Sequence, residues 1–250
     1  MLQLFREMAS TFRGLPKKST IVLIYATIAM TLYLYAGKDV AMAKRLNHWW
    51  FQSPDPGVIE WLRYAYQFAV AHLLFVWIPI FLILFVFGES LRDYGFGLGD
   101  WRAGLKILGI SLPIAVVALY FGASDPALIK TYPLAKMATR SAQLFWGWTL
   151  TYFTFYIAWE AMFRGFLQFG LKEDFGAFGA IMFQVMASTL LHFDKPFAET
   201  SSAIFAGMFW GAMALRTRSF WYVMVFHWVF GFCNDLFCTM ARTNSFFHLP

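Results

Sequence analysis

Charge is what this sequence has least of. Asp, Glu, Lys and Arg make up 14% of its 250 residues, against about 25% in a soluble domain. A water-soluble fold of this size would lack the polar side chains to cover its surface, and that class is excluded. Cysteine is scarce too. Cys233 and Cys238 lie five apart in one apolar run, a spacing that puts them on different helix faces and argues against a disulfide or a zinc ligand pair. There is no HExxH or CxxC pattern of a conventional zinc site, and no GxSxG serine motif. No internal repeat, low-complexity tract or sizeable soluble domain interrupts the chain. The glycine-rich piece Gly95-Phe96-Gly97-Leu98-Gly99-Asp100 has no strand before it and no Gly-Lys-Ser/Thr after it, so it reads as a turn at a membrane surface and not as a phosphate loop.

What fills the space is apolar. Hydrophobic residues make up 60% and aromatics 21%, including 11 Trp, 11 Tyr and 30 Phe, and the mean hydropathy is +0.56. This is the composition of an all-α integral membrane protein, with aromatics for lipid-facing surfaces and interfacial belts. The net charge of +6 and pI near 9.3 come from basic residues scattered between apolar runs. With no basic stripe carrying interleaved aromatics, the partner is the lipid bilayer and not nucleic acid.

Crossing hydrocarbon takes about 20 apolar residues. Candidate spans are 19–36, 64–87, 104–121, 145–165, 177–191, 203–215 and 220–240, a bundle of about seven helices, six to eight. The short runs 177–191 and 203–215 predict short, closely packed helices in the C-terminal half, sheltered by neighbours, broken or re-entrant. Ala203, Gly207 and Gly211 at four-residue spacing let backbones approach closely there. Residues 37–58, with Lys38, Lys44, Arg45, Trp49, Trp50, Pro54 and Pro56, read as an interfacial stretch. Arg6, Arg13, Lys17 and Lys18 precede the first span and argue for a cytoplasmic N-terminus. That span is longer than a signal-peptide core, and Lys38 and Asp39 follow it, so it reads as retained. Residues 1–250 form a single polytopic domain.

Ionisable groups inside these runs are few. Glu160 and Arg164 stand at i,i+4 within one span, where each costs about 2.5–3.5 kcal/mol on insertion scales and a mutual salt bridge offsets part of that cost. His192 ends an apolar helix, followed by Asp194, Lys195, Pro196 and Glu199, most simply a solvated turn. His227 lies in the last run with Asn234 and Asp235, seven and eight residues on, along one helix face. His72 lies in an early span without an acidic neighbour, and His48 and His248 fall outside the spans. One Glu, one Arg and two His on consecutive helical units could gather into a polar cavity, where Glu or His activates a water and another His and an amide stabilise an oxyanion.

These residues resemble the motifs of the CPBP group of intramembrane CAAX-type (Abi) endopeptidases, which carry Glu-Glu-x-x-x-Arg, Phe-x-x-x-His and His-x-x-x-Asn/Asp on successive helices. Glu160-Ala161-Met162-Phe163-Arg164-Gly165-Phe166-Leu167 matches the second Glu, the Arg and their Gly-Phe-Leu flank. His192 matches the second-motif histidine. Asp194-Lys195-Pro196 with Glu199 looks like the His-x-Gly-Lys-Pro-x-x-Glu stretch of a bacterial subgroup, and 216–221 leading to His227 fits the approach to the third motif. The resemblance covers a motif-bearing core at 143–240.

It implies an intramembrane peptidase in a bacterial cytoplasmic membrane, acting near the terminus of a membrane-associated protein or peptide. Glu160 and His192 would be general base and partner, with Arg164 orienting the glutamate. His227 would be the oxyanion donor, with Asn234 in reach. The sequence departs from the pattern at Trp159, Ser188 and Gly231, which stand where the first Glu, the motif-two Phe and the motif-three Asn would be. A non-catalytic scaffold or chaperone of the same fold and a proton-coupled transporter are the other readings. The sequence requires no cofactor, although Glu plus two His is a donor set that a divalent metal accepts. It carries no signal for oligomeric state.

Overall fold

The computed structural model describes residues 1–11, 14 and 16–243; Arg13 and His248 lie outside the described residues. All regular structure among them is helical. Four helices are long and apolar enough to cross a membrane by length and composition: Lys17–Gly37, Pro56–Phe87, Trp101–Gly122 and Trp221–Arg242.

After a short amphipathic helix α1 (Leu2–Thr11), α2 (Lys17–Leu32) runs into a π turn at Tyr33–Gly37. Helix α3 (Val40–Leu46) is capped by Asp39, whose carboxylate accepts from the Ala41 N–H at 2.8 Å. The exposed Trp49, Trp50 and Phe51 follow it, as an interfacial stretch requires. Asp55 then caps α4 (Pro56–His72), with Pro56 at the first helical position, where its missing N–H costs nothing. That helix continues through a π turn at Leu73–Trp77 into α5 (Ile78–Phe81) and a second π turn at Leu82–Phe87. Helix α6 (Trp101–Gly122) buries only Gly104 and Leu119. Its exposed Leu105, Ile110, Val117 and Phe121 give it the surface expected of a lipid-facing helix, since leaving apolar surface in water costs about 25 cal/mol per Å². After α7 (Pro126–Thr131), Ser141 caps α8 (Ala142–Glu160), which passes through a π turn at Ala161–Leu167 into α9 (Gln168–Leu190). Helices α10 (Phe197–Thr217) and α11 (Trp221–Thr243) complete the chain described.

The helices run back and forth between two ends of the bundle. At one end Lys18 bridges Glu89 (3.0 Å) and Glu173 (2.8 Å), and Ser19 bonds Asp174. The glycine-rich turn sits at this end too, clamped on the α10–α11 connection: Asp100 N–H donates to the Thr217 carbonyl (2.7 Å), Phe220 N–H to Gly95 (3.2 Å), the Trp221 indole to Phe96 (2.9 Å) and the Tyr222 hydroxyl to Leu98 (2.8 Å). Gly99 has φ +52 and presses against the Thr217 carbonyl, which only glycine permits. At the opposite end Lys38 pairs with Asp194 (2.8 Å), Arg140 with Asp55 (2.8 Å), and the Tyr132 hydroxyl donates to Glu199 (2.5 Å). Helix α2 therefore spans the distance from Asp174 to Asp194. Gly176, at φ 68 and ψ 174, breaks α9 and turns the chain back.

The expected short helices differ in detail. After Gly176 the helix covers 177–190, as the apolar run predicts. Helix α10, however, is a full 21 residues, because the polar Glu199-Thr200-Ser201-Ser202 joins it at one end and Arg216-Thr217 at the other. The small residues do bring α9 and α10 close: Val185 lies 3.0 Å from where a Cβ on Gly207 would sit. Gln184 and Gln168 donate to the Gly207 and Gly211 carbonyls, both at 2.9 Å.

Candidate active site

Glu160 lies at the end of α8, completely buried, and Arg164 follows in the π turn with 2% exposure. Single π turns inside α-helices recur at functional sites. The Arg164 Nη1 donates to Glu160 Oε1 at 3.1 Å, and the His227 Nδ1, from α11, contacts the same oxygen at 2.6 Å. Glu160 Oε2 and Arg164 Nε are buried without a hydrogen-bond partner. Trp210 of α10 closes the group: the Arg164 guanidinium carbon lies 5.5 Å from its ring centroid, and the His227 ring 4.4 Å. A buried ion pair is sustained only if further hydrogen bonds and polar contacts meet the charges; His227 on Oε1 and the Trp210 face supply part of this, and Glu160 Oε2 and Arg164 Nε stay unmet.

A cavity of about 710 Å³ lies beside this group, lined by Arg164, His192, His227, Asn234, Lys195 and Glu199 among a mainly apolar wall rich in aromatic rings. Glu160 is not among its lining residues; its two partners are. Trp159 lines it instead and packs edge-on against His192 at 5.4 Å. Neighbouring positions on a helix point about 100° apart, so the indole faces the space and the carboxylate stands behind it. His192 follows α9, and its Nδ1 contacts the Ser188 carbonyl at 2.7 Å. Each imidazole thus faces an acceptor with Nδ1. In the neutral ring the proton is assigned to that nitrogen, which leaves Nε2 as an acceptor.

Asn234 and Asp235 separate. Asn234 lines the cavity, and the Cys238 thiol approaches its Oδ1 at 3.8 Å. Asp235 turns away to accept from the Trp148 indole at 2.8 Å. Cys233 and Cys238 are both free. His192 and His227 do not sit on consecutive units, because the whole of α10 intervenes between them in the chain.

The turn after His192 is more than a solvated connector. Lys195 and Glu199 line the cavity, and only Asp194 points outward, to Lys38. Burial pushes the Lys195 ammonium below its usual range, against the raising influence of Glu199 and Asp194. His72 stays apart, its Nδ1 on the Phe68 carbonyl at 2.9 Å, and His48 lies in the interfacial turn Asn47–Phe51.

Two contributors escaped the sequence reading, Trp210 and Tyr156. Tyr156 lines the cavity and its ring lies 4.6 Å from that of His227. As aromatic residues in apolar runs they are indistinguishable from core or lipid-facing bulk. The only signal was Gly231, one turn past His227, a glycine where a side chain would otherwise reach the cavity.

For a metal, the described residues offer no group of three His, Cys, Asp or Glu side chains placed to hold an ion. Glu160 already accepts from a guanidinium and an imidazole on one oxygen, a poor setting for a cation.

Comparison with curated proteins and with solved structures gave no significant match. The family comparison is informative where the site lies. The stretch from the cap of α8 into α11 matches the model described as "Type II CAAX prenyl endopeptidase Rce1-like" over residues 141–233, a range that holds Glu160, Arg164, His192 and His227. Residues 141–233 are therefore similar to an Rce1-like domain of the type II CAAX prenyl endopeptidase family.

Proposed function

We propose that this chain is an intramembrane endopeptidase, a bundle of seven membrane-crossing helices that hydrolyses a peptide bond near the terminus of a membrane-associated protein or peptide. The family description names prenylated CAAX sequences as the substrate class, and the aromatic cavity suits a lipidated or apolar chain. The observation that carries the reading is the 2.6 Å contact between His227 and Glu160, with His227 lining the same cavity as His192.

Glu160 acts through His227 in this reading. The carboxylate fixes the ring and stabilises the imidazolium that forms during the reaction, as a carboxylate behind an imidazole does in hydrolytic triads. His227 Nε2 takes a proton from water as the water oxygen bonds to the scissile carbonyl carbon. The tetrahedral intermediate then expels the amine, breaking the C–N bond, and the imidazolium returns the proton to the leaving nitrogen. Arg164 holds Glu160 in place from the other side. His192 and Asn234 flank the reacting bond.

The test is cleavage of a prenylated CAAX-type peptide by the purified protein in proteoliposomes, followed by mass. Wild type yields the truncated peptide. Glu160→Gln loses about 10²- to 10⁴-fold in kcat, the range of a general-base contribution, and His227→Ala at least as much. Equal cleavage by wild type and Glu160→Gln removes the mechanism. A second reading, a non-catalytic scaffold of the same fold, is favoured by Trp159, an indole facing the cavity beside His192. It predicts no product from wild type.

A further inference from the structure

Hydrolysis through a tetrahedral intermediate needs a hydrogen-bond donor aimed at the developing oxyanion. The imidazoles do not provide one in their neutral form. His192 commits Nδ1 to the Ser188 carbonyl and His227 commits Nδ1 to Glu160, so each turns an acceptor toward the cavity. The donor has to come from elsewhere on the cavity wall.

Gly231 shows where. It lies four residues, one helical turn, after His227 and lines the cavity. A Cβ built on it would overlap the Tyr156 hydroxyl oxygen and stand 2.8 Å from Tyr156 Cζ. The space that a side chain at 231 would fill is thus filled from α8 by a phenol. Tyr156 is 4% exposed and its ring is held between His227 (4.6 Å) and Tyr152 (4.7 Å). A phenol is a strong O–H donor, and aromatic neighbours on both sides restrict its rotamer.

We propose that Tyr156 is a catalytic residue whose hydroxyl donates to the oxyanion, standing over Gly231 in place of a side chain from α11. The proposal rests on the peptidase reading above for its reaction, and on the Gly231–Tyr156 contact for its geometry. Gly231 is glycine so that the hydroxyl can approach, and Asn234, further along the same wall, adds a second polar group.

Tyr156→Phe removes the oxygen and keeps the ring, so packing against His227 and Tyr152 persists. Two readouts are taken in proteoliposomes: cleavage of a prenylated CAAX-type peptide, and binding of its phosphinate analogue, which presents a tetrahedral anion at the scissile position. Tyr156→Phe is expected to lower kcat about 10²-fold, the size of one oxyanion donor, with KM unchanged. It should weaken phosphinate binding by a similar factor and leave binding of the parent peptide within about twofold. In the Tyr156→Ala background, Gly231→Asn places an amide in the vacated space and should recover about tenfold of the loss.

A variant that binds the phosphinate as wild type does overturns the assignment of Tyr156, whatever happens to cleavage. Wild type that cleaves while Tyr156→Phe cleaves equally well also overturns it, and leaves the peptidase reading standing. Wild type that binds the phosphinate through Tyr156 without cleaving removes the peptidase reading alone. Failure of wild type to bind either molecule or to cleave removes both.

Discussion

Glu160 answers to two partners on one oxygen, Arg164 from its own helix and His227 from α11. Removing one partner of a buried pair leaves a charge without compensation, at a cost of about 3–5 kcal/mol. Arg164→Met should therefore lower the thermal midpoint in detergent sharply, and the double change Glu160→Gln with Arg164→Met should recover much of the loss. A double variant no more stable than Arg164→Met would show that the guanidinium acts mainly on Trp210. At this scale the sequence was readable wherever polarity was out of place. Glu160, Arg164, His192 and His227 stand out because charge in hydrocarbon is costly and rare. Their division of labour was not readable. That Trp159 faces the cavity while Glu160 stands behind it depends on how α8 is rotated in the bundle, and hydropathy carries no information on rotation.

Among the elements, α9 and α10 are held by two glutamines reaching the carbonyls of Gly207 and Gly211. A Cβ on Gly211 would lie 2.8 Å from both Gln168 Oε1 and Gln184 Nε2. Gly211→Ala should displace these amides and cost about 1–3 kcal/mol, read as a drop in thermal midpoint; an unchanged midpoint would mean that the helices part without penalty. The four-residue spacing of small residues announced the close approach, but nothing in the sequence linked Gln168 or Gln184 to it. The length of α10 was hidden for a different reason. Its first turn is polar because it sits at the end of the bundle, and an apolar-run criterion stops where the polar residues begin.

The turn between these helices has a pH dependence of its own. Burial pushes the Asp194 carboxyl up and the Lys38 ammonium pulls it down, and the balance lies below the usual carboxylate range. The pair's contribution is thus complete above about pH 4, the value of a free Asp, and is lost as the pH falls through the lower folded value. Both side chains are solvent-accessible, so the effect is modest. Protection factors for amide exchange across 191–195, taken relative to the intrinsic rate at each pH, should fall on acidification from about pH 6 to about pH 3, and Asp194→Asn should show the lower protection already at neutral pH. Exchange that ignores both changes would leave the Lys38 bridge without a role in ordering the turn.

On the scale of the whole molecule, the ion pairs other than the buried Glu160 group mark two ends, Lys18 with Glu89 and Glu173 and Arg216 with Asp100 at one, and Lys38 with Asp194 and Arg140 with Asp55 at the other. With the bundle in a bilayer, a membrane-impermeant thiol reagent should label cysteines placed at Asp55 and Asp194 from the same side, and one placed at Gly97 from the other. Labelling of Gly97→Cys and Asp194→Cys from one side would break the proposed seven-pass arrangement. Composition alone disclosed the membrane class and the apolar runs. The direction of each pass needed the contacts between ends, since Lys and Arg are spread almost evenly over the connectors.

The reversal at Gly176 has a consequence for assembly. Because the chain turns back there, α8 and the second half of α9 run in opposite directions, and α11 arrives with His227 at the depth of Glu160. The parity of the passes decides whether these side chains can meet. A nascent chain that skipped the turn, carrying α8 and α9 through as one rod, would deliver every later helix upside down and leave Glu160 facing lipid without His227. The left-handed backbone at Gly176 is open to glycine and strained for other residues, so a substitution there would bear on the turn that sets the direction of every later helix.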